Sequence, residues 1–419
     1  MSAFARVDFV LSVDGVSLEE VARRFGTPCY VYSRSAIERA FREFDQGLAA
    51  ADHLVCYAVK ANSNLAVLDV LQRLGAGFDI VSGGELARVL AAGGRADRVI
   101  FSGVGKSESE MREALAAGIR CFNVESEPEI ERLDAVAASM GKRAPVSLRI
   151  NPNVDARTHP YISTGLAANK FGIPHERALA AYDRILAARH LEIAGIGCHI
   201  GSQILEPAPL DEALERVLDL VGSLQAKGIA LSHVDLGGGF GIRYRDEEPL
   251  DFGAYCRRLA ARFAGSGLQV LLEPGRAIVG GAGVLLTRVE YLKLDKAKRF
   301  AVVDASMSEL IRPALYEAYH EIVPVRPRAG KTQAFDVVGP VCESADVLGT
   351  DRELAIAPGD LLAVMSAGAY AMVMASNYNS RPRPAEVLVD AGRMLEVRAR
   401  ETAQSLFAGE KRLDTAPAR

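Results

Sequence analysis

Short apolar runs alternate with amphipathic stretches through the middle of the chain, from about residue 53 to residue 274. The apolar runs are His53–Lys60, Phe78–Ser82, Val99–Gly103, Cys121–Glu125, Val146–Asn151, Ala194–Ile200, His233–Gly239 and Gln269–Pro274. The amphipathic stretches include Gly84–Ala92, Glu108–Ala117, Glu127–Met140 and Leu210–Lys227. Apolar strands that alternate with helices are typical of a parallel sheet covered by helices. Eight such runs predict an α/β fold with a (β/α)8 TIM-like barrel; an open doubly wound sheet is the alternative.

The pattern changes after residue 280, where β-like runs are separated by glycine, proline and aspartate turns. These runs are Val284–Leu294, Arg299–Ala305, Ala334–Val338, Leu361–Met365, Glu386–Asp390 and Met394–Val397, with one helix predicted at Pro313–His320. This half predicts a mostly antiparallel β domain, sandwich-like or barrel-like. A helix at Leu18–Phe25 and a strand at Cys29–Tyr32 precede the barrel. We therefore assign residues 36–281 to the barrel, and residues 1–35 and 282–419 to the β domain.

Composition narrows the class of protein. The 419 residues carry a formal net charge of −4, which gives neither a basic footprint for nucleic acid nor a polybasic membrane patch. We expect no signal peptide and no membrane span, because no apolar stretch is long enough. Six cysteines without a C-x-x-C pair indicate reduced thiols, so we expect a cytoplasmic protein. Seven histidines without H-E-x-x-H spacing predict no metal site.

Polar or glycine-rich residues follow four of the predicted strands, where barrel enzymes place their catalytic groups. They are Lys60, the segment His199–Gln203, the triple glycine Gly237–Gly239, and the segment Glu273–Arg276. Lys60 alone could be a lysine at the barrel rim. In a desolvated site near positive charge its pKa would fall, and its neutral amine could form a Schiff base.

The other strand ends also have two interpretations each. The triple glycine is either a tight turn or a nest of N–H groups for a phosphate, completed by Ser202, Gly275 and Arg276. Glu273 either pairs with Arg276 or holds the ring nitrogen of a cofactor protonated. His199 is either a core histidine or a side chain that stacks on a planar cofactor.

The motifs around these residues resemble the fold-type III pyridoxal-phosphate decarboxylases. They read Tyr57-Ala58-Val59-Lys60-Ala61-Asn62, His199-Ile200-Gly201-Ser202-Gln203, Gly237-Gly238-Gly239 and Glu273-Pro274-Gly275-Arg276. More narrowly, the chain resembles the diaminopimelate decarboxylase family, through the segments 159–165, 169–172, 339–344, 368–372 and 377–379. The resemblance runs from about Gly26 to Thr402.

The resemblance implies a lyase that converts meso-2,6-diaminopimelate to L-lysine and CO₂, the last step of lysine biosynthesis, with pyridoxal 5'-phosphate as cofactor. The implied cofactor site comprises Lys60, His199, Ser202, Gly238, Gly239, Glu273, Pro274, Gly275, Arg276 and Tyr370. Lys60 would carry the cofactor, His199 would stack on its ring, and Glu273 would pair with the ring nitrogen. The implied substrate-binding residues are Arg276, Arg312, Tyr316, Glu343 and Tyr370.

Cys342 is the proton donor that the resemblance implies, although composition alone favours a buried structural thiol. With Lys60, Glu273 and His199 it completes the implied catalytic set. In the family Cys342 and Glu343 come from a second subunit, so we expect a homodimer with shared active sites.

Two other functions remain open. Ornithine, arginine and lysine decarboxylases of the same fold tend to place aspartate after the cysteine, whereas this chain has Glu343. A non-enzymatic pyridoxal-phosphate carrier would have the barrel and Lys60 but would lack the β domain. Glu343 with Arg276 and Arg312 favours a substrate that has an amino-acid group at each end.

Overall fold

The computed structural model describes residues 3–155, 169–295 and 297–413. The first elements are β1 (Phe4–Val7), β2 (Val10–Val13), β3 (Val16–Ser17), α1 (Leu18–Phe25) and β4 (Cys29–Ser33). The middle of the chain forms α2 (Arg34–Gly47), β5 (His53–Ala58), α3 (Leu65–Arg73), β6 (Gly77–Ile80), α4 (Gly83–Ala91), β7 (Val99–Phe101), α5 (Glu108–Ala117), β8 (Cys121–Val124), α6 (Glu127–Ser139), β9 (Ala144–Asn151), β10 (Ile173–Pro174), α7 (Ala178–Ala187), β11 (Leu191–Cys198), α8 (Ala208–Ala226), β12 (His233–Asp235), α9 (Phe252–Phe263), β13 (Gln269–Leu272) and α10 (Arg276–Val279). The last elements are β14 (Gly283–Leu294), β15 (Arg299–Val303), α11 (Arg312–Tyr316), β16 (Ile322–Pro324), β17 (Gln333–Val338), β18 (Val347–Leu354), β19 (Leu361–Val364), β20 (Ala385–Asp390), β21 (Arg393–Arg398) and α12 (Ala403–Leu406).

The chain divides into two compact units. The first contains Ser33–Gly283 and Ser366–Val373, and the second contains Phe4–Tyr32, Val284–Met365 and the chain from Met374 onward. Residues 366–373 lie inside the range that the sequence assigned to the β domain. They belong to the first unit because the Tyr370 N–H donates to the Ala61 carbonyl at 2.8 Å.

A closed parallel barrel forms the first unit, which confirms the predicted fold class. Among the described residues, eight parallel strands follow each other in the order β5, β6, β7, β8, β9, β11, β12 and β13. The ring closes where β13 pairs with β5, with Leu271 opposite Leu54. Strand β10 extends the sheet beside β9. Closure leaves the barrel strands without an open edge.

Local sequence signals explain the barrel helices. Helix α5 begins at a capping box, in which the Ser107 hydroxyl accepts from the Glu110 N–H and the Glu110 carboxylate accepts from the Ser107 N–H. It ends at Gly118, whose φ of 74° is the left-handed conformation that glycine adopts without strain. No helix in the described ranges is both long enough and apolar enough to cross a membrane.

A mostly antiparallel sheet dominates the second unit. The strand order is β18-β17-β15-β14-β4-β20-β21, and β19 pairs with both β14 and β16. The pair β15–β17 is parallel, whereas β14–β15, β17–β18 and β20–β21 are antiparallel. Strands β1, β2 and β3 form a separate three-stranded sheet.

The predicted helix Pro313–His320 is wrong in its extent. The helix α11 spans Arg312–Tyr316 and stops because Glu317 takes a left-handed conformation with φ of 52°. The following residues, 317–321, are outside any helix and lead directly into β16.

Candidate active site

The ends of the barrel strands bring most of the predicted site residues of the first unit around one pocket. The residues that line it are Ala58, Lys60, His199, Ser202, Gly239, Phe240, Glu273, Gly275, Arg276 and Tyr370. Glu273 and Arg276 come after β13, His199 and Ser202 after β11, and Gly239 after β12. Tyr370 enters from the segment 366–373, which belongs to the same unit. The described residues contain no group of three or more side chains suited to holding a metal ion.

Lys60 lies in a single 3₁₀ turn, Val59–Ala61, directly after β5. Its Nζ lies 2.6 Å from Oδ2 of Asp79, an aspartate with a fully buried side chain in β6. Burial acts to lower the pKa of Lys60, but the negative charge of Asp79 and its hydrogen bond to Nζ act in the opposite direction, and the pKa lies above the ordinary value. The expected lowering of this pKa by positive neighbours is therefore wrong, because the nearest charge is a carboxylate.

Two buried carboxyl groups, Glu273 and Asp235, are neighbours at the pocket, and Glu273 lines it. Burial raises the pKa of Glu273 well above its ordinary value, and the charges of Asp235 and Asp79 raise it further. The Glu273 carboxyl shares a hydrogen bond with Asp235. Asp235 also accepts from the Gly237 N–H at 2.9 Å and from Nδ2 of Asn123 at 3.3 Å. Since both Asp235 oxygens accept from other donors, Asp235 is the ionised member and Glu273 carries the proton.

His199 is held as a neutral imidazole. The Gly238 N–H donates to its Nδ1 at 3.1 Å, so Nδ1 carries no proton and Nε2 carries one. Burial and the positive charges of Arg149 and Lys60 hold the pKa of His199 well below its ordinary value. The 3.8 Å separation between His199 Nδ1 and Glu273 Oε2 is not an ion pair, because both groups are neutral.

The triple glycine allows an approach between backbones that no other residue would permit. A Cβ on Gly238 would lie 2.1 Å from the Glu273 carbonyl oxygen, and one on Gly239 would lie 2.4 Å from the Gly201 carbonyl oxygen. Gly237 and Gly239 have φ of 68° and 93°, conformations that favour glycine. Three neighbouring strand ends thus meet without side chains between them, and Gly239 lines this side of the pocket.

Arg276 places a positive charge on the side of the pocket that carries Ser202 and Tyr370. Its Nη1 donates to the Tyr244 hydroxyl at 2.6 Å and its Nη2 donates to Oγ of Ser202 at 2.9 Å. Its Cζ lies 4.8 Å from the centre of the Tyr370 ring. The guanidinium is buried beside hydroxyl and aromatic groups, so an anion such as a phosphate is stabilised there. In the described site Arg276 bonds to these hydroxyl groups, and the Glu273 carboxyl bonds to Asp235.

The pocket therefore fits pyridoxal phosphate. It offers an amine in Lys60, a cationic and glycine-rich phosphate side, a carboxyl in Glu273 and a flat neutral ring in His199. Pro274 lies between Glu273 and Gly275. A Cβ placed on Gly275 would lie 3.0 Å from the Cβ of Ala58, so this position also favours glycine.

The remaining predicted site residues belong to the second unit. Arg312 is buried, and its Cζ lies 5.9 Å from the centre of the Tyr316 ring. Cys342 is exposed, which contradicts the buried structural thiol that composition alone favours. Glu343 forms a hydrogen bond with Tyr378. The predicted motif at 159–165 lies outside the described residues.

Sequence reasoning missed three residues of the first-unit site: Asp79, Asp235 and Tyr244. The two aspartates interrupt otherwise apolar strands, in Phe78-Asp79-Ile80 and Val234-Asp235-Leu236. An acid in an apolar strand is rare without a partner, so this signal was present. Tyr244 gives no such signal, because it lies in an irregular polar loop.

Residues 34–280 match the model of the family described as "Pyridoxal-dependent decarboxylase, pyridoxal binding domain". A diaminopimelate decarboxylase of Pseudomonas aeruginosa is 59% identical over 99% of this chain and 100% of its own length. The chain belongs to the diaminopimelate decarboxylase family. Another member, from Vibrio cholerae, is 55% identical over 96% of this chain and 97% of its own length.

Solved structures of this family agree with the fold. The diaminopimelate decarboxylase of Helicobacter pylori complexed with L-lysine has a TM-score of 0.90 and 42% identity. It covers 94% of this chain, and this chain covers 99% of it. Membership makes the protein a carboxy-lyase that depends on pyridoxal phosphate, as the resemblance implied.

Proposed function

We propose that the chain catalyses the decarboxylation of meso-2,6-diaminopimelate to L-lysine and CO₂, the last step of lysine biosynthesis. The observation that carries this proposal is the 59% identity to a named diaminopimelate decarboxylase along the whole length of both chains. The pocket supports it independently, because it combines Lys60, a buried Glu273 and a cationic side at Arg276. The L-lysine bound in the Helicobacter pylori relative is the product that this reaction would release.

Lys60 holds the cofactor covalently in this proposal. Attachment needs a neutral amine, whereas Asp79 at 2.6 Å favours the ammonium. The same carboxylate can take the proton from Nζ as the amine reacts, so Asp79 acts as a local proton acceptor. Burial also raises the pKa of Glu85 to about 7, and this side chain is a second acidic group close to Asp79.

The phosphate would be held by Ser202, Gly239, Gly275, Arg276 and Tyr370, with Gly238 next to Gly239 and with Pro274 fixing the backbone before Gly275. The Ser202 hydroxyl and the Arg276 guanidinium are already joined at 2.9 Å, so binding requires little rearrangement of these groups. His199 would stack on the ring as a neutral imidazole, which would add no positive charge beside the ring.

Glu273 pairs with the ring nitrogen. When bound, pyridoxal phosphate accepts the electron pair that remains as the substrate carboxylate leaves as CO₂. Burial raises the pKa of Glu273, so with the cofactor bound this carboxyl would hold a proton between itself and the ring nitrogen. Asp235, hydrogen-bonded to Glu273, would add a negative charge that favours a protonated ring nitrogen.

The substrate binds through charges at both of its ends. We assign its distal carboxylate to Arg276 and Arg312, with Tyr316 beside Arg312, and its distal ammonium to Glu343 near Tyr370. Cys342 returns a proton to the carbon that lost CO₂; its exposed thiol supports this role. Cys342 and Glu343 act in the site of a second subunit, so the working unit is a homodimer.

We further propose a cytoplasmic location. All six cysteines are free thiols, and five of them are buried, as suits a reducing compartment.

A comparison of substrates tests the function. CO₂ release should be fast with meso-diaminopimelate and at least about 10⁴-fold slower, as kcat/KM, with lysine or ornithine, because the buried arginines then lose the substrate carboxylate as a partner. Faster turnover of ornithine or lysine would identify a basic amino-acid decarboxylase instead. No CO₂ from any of the three, with cofactor bound, would indicate a carrier.

A further inference from the structure

Arg312 does not stand alone in the second unit. Its Nε donates to Nε2 of His320 at 3.2 Å, and both side chains are buried. Nδ1 of His320 lies 2.8 Å from the Met365 carbonyl oxygen. A carbonyl oxygen can only accept, so Nδ1 carries the proton and Nε2 presents a lone pair to Arg312. The two hydrogen bonds fix the imidazole in one neutral tautomer and one orientation.

Arg312 and His320, which this hydrogen bond joins, lie in segments that differ in rigidity. Arg312 opens a helix of five residues, which is too short to be stable without tertiary contacts. His320 lies just before β16, whose Ile322 pairs with Val364 of β19. The Met365 N–H also donates to the Glu321 carbonyl at 2.8 Å, so His320 is anchored at the edge of a sheet. The histidine thus ties a side chain from a marginal helix to a rigid sheet.

The geometry also selects which edge of the guanidinium can face a ligand. A guanidinium binds a carboxylate through two parallel N–H groups, either through Nε and one Nη or through the two Nη groups. With Nε directed at His320, the edge that Arg312 can offer to a carboxylate is the one formed by Nη1 and Nη2. The ring of Tyr316, at 5.9 Å from Cζ, packs beside the guanidinium and restricts its rotation further.

We propose that His320 is a positioning residue that orients Arg312 for the distal carboxylate of the substrate, and so contributes to the choice of substrate. This inference rests on the proposed function, in which Arg312 binds that carboxylate. If His320 served only the fold, its replacement would lower stability and would not change substrate affinity. If His320 positions Arg312, its replacement lowers substrate affinity, and this effect requires that Arg312 is present.

Two amide substitutions separate the two hydrogen bonds. In asparagine, Nδ2 is as many bonds from Cβ as Nδ1 is in histidine, so His320→Asn keeps the donor to Met365 and removes the acceptor for Arg312. In glutamine, Oε1 is as many bonds from Cβ as Nε2 is in histidine, so His320→Gln keeps the acceptor and removes the donor. The variants match each other in polarity, and thermal unfolding of each holoenzyme checks that it is folded.

The assay is CO₂ release by the dimeric holoenzyme from meso-diaminopimelate, together with calorimetric binding of L-lysine. His320→Asn should raise KM and the lysine Kd about tenfold, the loss expected for one hydrogen bond to a charged group, with kcat within about threefold of wild type. His320→Gln should keep both constants close to wild type. In an Arg312→Ala background, His320→Asn should cause no further change.

The opposite results would overturn the inference. An unchanged KM and lysine Kd in His320→Asn, equal losses in both amide variants, or a full additional loss in the Arg312→Ala background would each show that His320 does not act through Arg312. If wild type releases no CO₂ from diaminopimelate, the proposed function fails, and lysine binding by the same variants still decides the role of His320. If Arg312→Ala binds lysine like wild type, the carboxylate role of Arg312 fails, and that of His320 fails with it.

Discussion

Replacing Glu273 by glutamine separates its fold role from its chemical role. Glu273 is buried and protonated in the described site, and it donates to Asp235. A glutamine side chain has the same shape as a protonated glutamate, and its Nε2 can make the same donation. The variant should therefore fold and bind cofactor as wild type does. It cannot leave a carboxylate beside the ring nitrogen, so decarboxylation should slow by about 10²-fold or more, about 2.7 kcal/mol of activation free energy.

The measurement is a set of single-turnover rates with cofactor saturation confirmed by absorbance. Glu273→Asp is the matched control, because it keeps the acid and shortens the side chain. It should recover part of the rate that glutamine loses. Turnover of the glutamine variant within about threefold of wild type would refute the reasoning, since the ring nitrogen would then need another partner.

The same variant predicts a change in how stability depends on pH. The folded-state pKa of Glu273 is raised above its unfolded value, so its protonated form stabilises the fold at low pH. This contribution is lost as pH rises above about 4.5 and through the folded-state pKa. Thermal unfolding of the cofactor-free proteins should therefore favour glutamine over glutamate increasingly from pH 5 to pH 8. Parallel curves for the two proteins would contradict the raised pKa.

Three further predictions follow from the site. Lys60→Ala should lose the cofactor absorbance band that borohydride reduces, and covalent labelling of any other lysine would contradict the site. Gly238→Ala should lower stability by about 1–3 kcal/mol and weaken cofactor binding, because its Cβ meets a carbonyl oxygen at 2.1 Å; Gly222→Ala, where a Cβ meets nothing within 4 Å, is the control and should keep both properties. Mixed dimers of Lys60→Ala and Cys342→Ala chains should recover about a quarter of wild-type activity if sites are shared; confirmed subunit exchange without recovery would place both residues in one chain's site.

Periodicity predicted the barrel strands because parallel strands are apolar on both faces. The predictions erred mainly at strand ends. The run His233–Gly239 was predicted as one strand, but β12 stops at Asp235 since Gly237 takes a positive φ of 68°. The strands β1, β2, β3, β10, β16 and β18 were not predicted. In β1 and β18, exposed residues such as Arg6 and Asp351 interrupt any apolar run. Such strands are set by pairing with neighbours, which local sequence does not encode.

The site shows the same division between local and distant information. Lys60 and Glu273 could be predicted from motifs at strand ends, because each is a polar residue at the end of an apolar run. The pKa of Lys60 could not, since it depends on Asp79 in the adjacent strand. The pairing of β5 with β6, Ala58 opposite Asp79, brings the two side chains together. Register between strands is a tertiary property, and the charge state of the site depends on it.

Barrel closure has a consequence for folding kinetics. Lys60 follows the first barrel strand and Glu273 the last, and these strands meet only when β13 pairs with β5. Joining chain segments so far apart carries a large loop-closure entropy, which makes such contacts late and slow. A growing chain therefore acquires both of these groups of the proposed cofactor site only when the eighth strand has docked. The rate at which refolding protein binds the coloured cofactor would then report when barrel folding is complete.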